Sequence, residues 1–190
     1  MTQVADDVKL GKISRQWNDL FRRVREGTLD ADKVSVALQE VIESKFLLNP
    51  AYRVTVNYDQ PVADAIAAGE YNWVNSDIIQ KNFPTNRTGK TECEIELVHF
   101  NRVVSTKEAL AELDKRGLRP AELHELLALG AEHPKLQREF PIIGLGSVWR
   151  SSSGGRGCPY LLGSGSKRGL GLRWVEDGWG GSCRFAAVRK

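Results

Sequence analysis

The sequence predicts an α+β protein, a helical hairpin followed by a domain of two short helices packed on a small, mainly antiparallel sheet. Three observations lead there. Apolar residues recur at spacings of three and four near the N-terminus, and strict alternation marks one strong strand in the middle. The C-terminal part is a succession of short β-prone segments broken by Gly and Ser.

Leu10, Ile13, Trp17, Leu20, Phe21 and Val24 fall on one stripe of a helix that ends near Gly27. After a short turn, Asp30 caps a second helix whose apolar face is Val34, Ala37, Leu38, Val41 and Ile42. Residues 1–48 therefore read as a hairpin, with Arg15, Arg22, Arg23 and Arg25 on its wet side. Asn49-Pro50 breaks the pattern, and Val54, Val56 and Tyr58 alternate as in a half-buried strand. Pro61 opens a short helix through Ile66 to Gly69. The stretch from Tyr71 to Lys90 is loop by composition, anchored by Trp73, Ile78, Ile79 and Phe83, so 49–91 is expected to be a connector packed on the main domain.

The main domain is placed at 92–190. Cys93, Ile95, Leu97 and His99 alternate against Glu94, Glu96, Val98 and Phe100. Ser105 with Glu108 forms a capping box for a helix that turns Ala109, Leu110 and Leu113 inward and stops at Gly117. Pro120 is expected to start the next helix, with Leu123, Leu126 and Leu127 apolar and Pro134 beyond its end. Short strands follow from Pro141, with turns at Ser151–Gly157, Gly163–Gly169 and Asp177–Gly181.

Of the 190 residues, 41% are hydrophobic and 27% charged, a balance that folds. No apolar run approaches the roughly 18 residues of a bilayer span, and the start carries acidic residues, so a soluble cytoplasmic protein without a membrane partner is expected. Cys93, Cys158 and Cys183 are odd in number and lack CxxC spacing, which suits a reducing compartment and three small buried side chains. From Arg138 to Lys190 nine Lys or Arg stand against three Asp or Glu, so the C-terminal part is basic and the first 137 residues carry a net −3. Such a segment suits nucleic acid, an acidic partner or simple solvation.

The usual chemical signatures fail on spacing. Thr88-Gly89-Lys90-Thr91 has Pro84 where a phosphate-binding loop needs glycine, and a strand follows instead of a helix. Gly144-Leu145-Gly146 lacks the third glycine of a dinucleotide fingerprint. His124-Glu125 lacks a second histidine four residues on, and neither His99 nor His133 completes a metal set, so no cofactor or metal is expected. Ser147, Ser151 and Cys158 are tied to no histidine base, and Asn86-Arg87-Thr88 is a sequon without an export signal.

Two segments carry a resemblance. Gly117-Leu-Arg-Pro-Ala-Glu-Leu-His-Glu-Leu126 is similar to the second-helix segment of bacterial C-type lectin-like domains related to sulfatase-modifying factors, and Ser182–Lys190 resembles their closing strand. The resemblance implies that the last strand returns to pair with Glu92–Phe100, and that long loops form a ligand face, which some members diversify. The chain departs from the family in lacking the WND, EPN and QPD motifs of calcium-dependent sugar binding, and its cysteines do not match the oxidase branch. The N-terminal part resembles bacterial proteins to which no function attaches.

The expected function is thus non-enzymatic binding of a protein or a small acidic ligand through the aromatic and basic loops between Trp149 and Ser182. Arg150, Tyr160, Arg168, Arg173, Trp174 and Trp179 are the candidate contacts, in a segment where Trp149 and Lys167 also interleave. Nucleic-acid binding is the alternative, and an enzyme whose site escapes motif reading is a third; the hairpin offers an oligomerisation element.

Overall fold

Residues 7–42 and 51–190 are described by the computed structural model, which divides into two units, 1–48 and 49–190. The break predicted at Asn49-Pro50 lies outside the described residues.

In the first unit α1 (Asp7–Arg25) and α2 (Ala31–Ile42) follow the predicted stripes. Gly27 ends α1 with φ +70°, a conformation that glycine adopts without strain. Asp30 Oδ1 accepts the amides of Asp32 and Lys33 at 3.0 Å, the expected cap. Leu20, Val24, Val34 and Leu38 are half-buried, whereas Leu10, Ile13, Trp17 and Phe21 are exposed. The side chain of Ile42 lies outside the described residues.

The second unit is an α+β domain built on one nine-stranded mixed sheet. Its elements are β1 (Ala51–Asn57), α3 (Val62–Ala68), β2 (Trp73–Val74), β3 (Lys90–His99), α4 (Thr106–Lys115), β4 (Leu118–Pro120) and α5 (Leu123–Glu132). There follow α6 (Leu136–Glu139), β5 (Ile142–Ile143), β6 (Trp149–Arg150), β7 (Arg156–Ser164), β8 (Lys167–Trp174) and β9 (Arg184–Arg189). The strand order is β1-β3-β9-β5-β7-β8-β2, with β4 beside β9 and β6 beside β7. β9 lies antiparallel to β3, Ile95 opposite Val188, so the last strand does return to the strong central one.

Alternation along the inner strands divides the core into two layers. Ile95, Leu97, Ile142, Leu161, Leu170, Ala186 and Val188 join Leu126, Leu127 and Leu129 of α5. Val98, Ile143, Cys158, Phe185 and Ala187 point the other way, toward Ala109 and Leu113 of α4 and toward Trp179. The sheet is therefore covered on both faces, a larger architecture than the two-helix, small-sheet domain expected: α3, the short helix read after Pro61, belongs to the same unit, α6 is an additional helix, and β2 with β8 and β5 with β9 are parallel pairs. Both β1 and β2 belong to this sheet.

Several local expectations change. Pro120 does not start a helix; it closes β4, where the Ala121 amide donates to the Ala186 carbonyl at 2.8 Å, and α5 begins only at Leu123. The Gly163–Gly169 turn shrinks to a tight hairpin between Ser164 and Lys167, because Gly163 and Gly169 lie inside β7 and β8. A Cβ on Gly163 would come within 2.6 Å of Arg138 Cα, so this strand glycine lets α6 press on the sheet. Leu110, Trp73 and Ile79 are exposed, while Ile78 and Phe83 are the true anchors of the long loop. The Ser105–Glu108 capping box is formed, with the Glu108 amide donating to Ser105 Oγ at 3.2 Å and Glu108 Oε2 accepting the Ser105 amide at 2.8 Å.

The β8–β9 connection is fastened by Trp179, which is wholly buried. Its Nε1–H donates to Thr106 Oγ1 at 2.9 Å, its ring meets Phe185 edge-on at 5.8 Å, and its backbone exchanges two hydrogen bonds with Val104. Trp179→Ala should lower stability by about 3–5 kcal/mol, the usual loss for a core Trp, whereas Trp179→Phe should lose roughly 1 kcal/mol for the missing donor on top of a smaller cavity term. Urea unfolding followed by circular dichroism measures both; equal stability of Trp179→Ala and wild type would contradict the fastening role.

Candidate functional site

The structure does not bring the six sequence-predicted residues together. Trp179 is core, and Arg168, 6% exposed, is a structural arginine. Its guanidinium donates to the Gly69 carbonyl at 2.6 Å, to the Gly130 carbonyl and to Gln137 Oε1 at 3.0 and 3.2 Å, and sits 5.0 Å from the Tyr71 ring centroid. It ties the ends of α3, α5 and α6 to β8, so its hydrogen bonds are spent inside the fold, although it also lines a separate cleft with Trp73 and Lys167. The remaining four divide between sheet faces. Trp174 stands opposite Gly157 and Arg173 opposite Cys158, so the two side chains project to opposite sides. Arg150 is paired across strands with Arg156, and Tyr160 lies half-buried over Gly171, both on Arg173's side.

The basic excess of the C-terminal segment disperses in space. Arg189 meets Glu96, Lys190 meets Asp114 and Arg156 meets Glu176, while Arg184 lies over the Phe140 ring. Two of those carboxylates come from the acidic first part of the chain. A segment's charge is thus not a surface's charge: these four side chains have partners of their own, while Arg150, Arg156 and Arg173 share one sheet face.

Trp174 does belong to a surface. It is 42% exposed and stacks on half-buried Trp149, ring centroids 6.4 Å apart and planes inclined by 22°. Gly155 allows this, since a Cβ there would stand 3.1 Å from the Trp174 ring. Immediately before Trp149, residues Gly146, Ser147 and Val148 form one wall of a cleft of about 430 Å³. The other walls are Asn82 to Arg87 and Glu122, which precedes α5.

Four polar side chains at the cleft are held by hydrogen bonds. Arg87 Nε donates to Glu122 Oε1 at 2.7 Å, Thr85 Oγ1 donates to Glu122 Oε2 at 2.9 Å, and the Arg87 amide donates to Thr85 Oγ1 at 3.1 Å. The Glu122 contact raises the Arg87 pKa further above its ordinary value. Ser147 Oγ accepts the Leu123 amide at 2.9 Å, which satisfies an otherwise free donor in the first turn of α5.

Beneath this rim lies a fully buried carboxylate. Glu125 accepts from Arg119 at 2.6 and 2.9 Å, from the Tyr58 hydroxyl at 2.5 Å and from the Glu122 amide at 2.7 Å. Burial works to raise its pKa, but these donors outweigh burial and hold it below the ordinary glutamate value. Tyr58 is pushed well above the usual tyrosine range by burial and by Glu125. Burial also pushes the Cys158 thiol up to about 12, so that candidate nucleophile stays protonated. Among the described residues no group of three or more His, Cys, Asp or Glu side chains is placed to hold a metal ion, and no helix is long and apolar enough to cross a membrane.

Comparison with protein-family models, with curated proteins and with solved structures finds no significant match. The site therefore rests on its own geometry. Sequence reading missed Thr85, Arg87, Glu122 and Val148 as contacts, took Ser147 only as a weak nucleophile, and named Trp149 without placing it at a site. No local motif links the three segments, which are far apart in sequence.

The sign of the Glu125 shift fixes a pH dependence. A carboxylate with a lowered folded-state pKa contributes stability above its unfolded value, about 4.3, and loses it as pH falls through the lower folded value. Glu125→Gln should destabilise the protein at neutral pH by on the order of 2–3 kcal/mol, below the figure for a fully buried pair because Arg119 is partly exposed. It should also flatten the acid limb of the stability curve. Urea midpoints between pH 3 and 7, in roughly half-unit steps, test both; an acid limb unchanged by the substitution would exclude Glu125 as its source.

Proposed function

We propose that the chain is a non-catalytic binding module whose contact surface is the cleft among residues 82–87, Glu122 and residues 146–148, continued by the Trp149–Trp174 wall. The observation that carries this reading is an organised polar cleft whose wall, residues 146–148, runs directly in sequence into Trp149, stacked on the partly exposed Trp174. Large rigid rings offer contact area with few rotamers to immobilise, and polar groups already held by neighbours need little reordering on binding. We extend the proposal to kinship with the C-type lectin-like fold. The antiparallel β3–β9 closure, in the arrangement the resemblance implies, supports it.

The test is a titration followed by tryptophan fluorescence and calorimetry with defined probes: 3-phenylpropionate, 3-phenylpropan-1-ol, 3-phenylpropylamine, a Glu-rich decapeptide, and single- and double-stranded DNA. Saturable binding by at least one non-nucleic-acid probe is expected, weakened about tenfold by Trp174→Ala, in line with removal of an aromatic contact worth over 1 kcal/mol. Equal binding by Trp174→Ala, or no binding to any probe, would overturn the placement. Retention of DNA that falls steeply with salt would instead favour the nucleic-acid reading.

A further inference from the structure

We infer that the cleft receives a monocarboxylate attached to an apolar ring or chain, with Arg87 as its anchor. This rests on the cleft being the binding surface and specifies what it takes.

The inference begins with which atoms of Arg87 are engaged. Its Nε is bonded to Glu122, and Thr85 braces both Glu122 and the Arg87 backbone, so the guanidinium is held by a closed set of three residues. The guanidinium carbon also stands 5.8 Å from the Tyr58 ring centroid. Among the described residues neither Nη1 nor Nη2 has a hydrogen-bond partner. A guanidinium fixed through Nε presents its terminal N–H groups as a planar fork, the shape that matches the two oxygens of a carboxylate.

The surroundings narrow the choice of anion. Arg87 and Arg119 are balanced by Glu122 and Glu125, so a single added negative charge is tolerated better than the double charge of a phosphate monoester beside Glu122. Ser147 accepts the Leu123 amide with its oxygen and keeps its own proton to donate. Phe83, Pro84 and Val148 place hydrocarbon next to the anchored group, in a lining that Asn82 and Asn86 complete with polar amides. A volume of about 430 Å³ is at the low end for small-molecule sites, which run from about 300 to 1,000 Å³, so the ligand is small or is one terminal residue of a larger chain.

Three phenylpropyl probes of the same carbon skeleton separate the carboxylate from the rest of the ligand. The wild-type protein should bind 3-phenylpropionate at least about tenfold more tightly than 3-phenylpropan-1-ol or 3-phenylpropylamine, the margin expected for one charge-assisted fork. Arg87→Lys keeps the positive charge but loses the fork, and should weaken the acid about tenfold while leaving the alcohol unaffected. Lys167→Gln removes one positive charge away from the cleft and should leave acid binding unchanged. The Arg87 Nε–H resonance should move during the acid titration, and unchanged far-ultraviolet circular dichroism in each variant shows that the fold is retained. If the alcohol binds as tightly as the acid, or folded Arg87→Lys binds the acid as wild type does, the carboxylate assignment is wrong while the cleft remains a binding site. If no probe of any class binds, both the assignment and the binding reading fall.

Discussion

The strand β9 sets the order of the whole sheet, because it alone joins the part built on β1 and β3 to the part built on β5, β7 and β8. One of its edges is paired with β3; the other is shared between β5 and β4. Its side chains alternate between two apolar layers, Ala186 and Val188 on one side, Phe185 and Ala187 on the other. A shift by one residue would exchange the layers and place phenylalanine where alanine fits, so register is specified from both faces at once. Its pairing with β3 joins segments far apart in sequence, and Trp179 secures the loop that leads into it.

With so much of the sheet covered, the buried charges need internal partners. Arg168 and Glu125 meet this requirement by opposite means. Arg168 forms no ion pair among the described residues and is satisfied by two carbonyls, a glutamine oxygen and an aromatic face, at the meeting point of three helix ends. Burial lowers its pKa, yet arginine remains charged because its ordinary value is so far above neutral. Glu125 instead pairs with Arg119 and collects two further donors. Neither arrangement maximises stability, since a buried pair can often be replaced by apolar side chains without loss. Each does fix the relative position of elements that apolar contact alone would let slide.

How much of this was legible follows from where the information lies. The stripes of α1 and α2, the Asp30 cap, the Ser105–Glu108 box and the alternation of β3 are local, and each appears in the structure. β4 was misread because Pro120 is a common helix opener, whereas here the segment is held by β9, a strand more than sixty residues away. Glycines at 163 and 169 looked like turn residues; they serve close approach within strands, which depends on what packs above them. Trp179 and Arg168 shared the composition expected of a contact surface, and composition does not distinguish a ring that fills a core from one that faces water. Thr85, Arg87 and Glu122 gave no signal because their relation exists only after folding.

Gly146 connects the fold to the cleft. A Cβ at this position would stand 2.6 Å from the Ala121 and Pro120 backbone, and its amide donates to the Ala121 carbonyl at 2.9 Å. The strand-to-strand link after β5 is thereby pressed against the junction of β4 and α5, the same junction that β9 holds through the Ala186 carbonyl. That contact puts Ser147 on the first turn of α5 and Val148 in the cleft wall, and it sends the chain into Trp149 beside Trp174. The geometry of the cleft is consequently inherited from the central strand. Gly146, itself part of the cleft wall, sits where backbone meets backbone and so sets the positions of Ser147 and Val148 opposite Arg87.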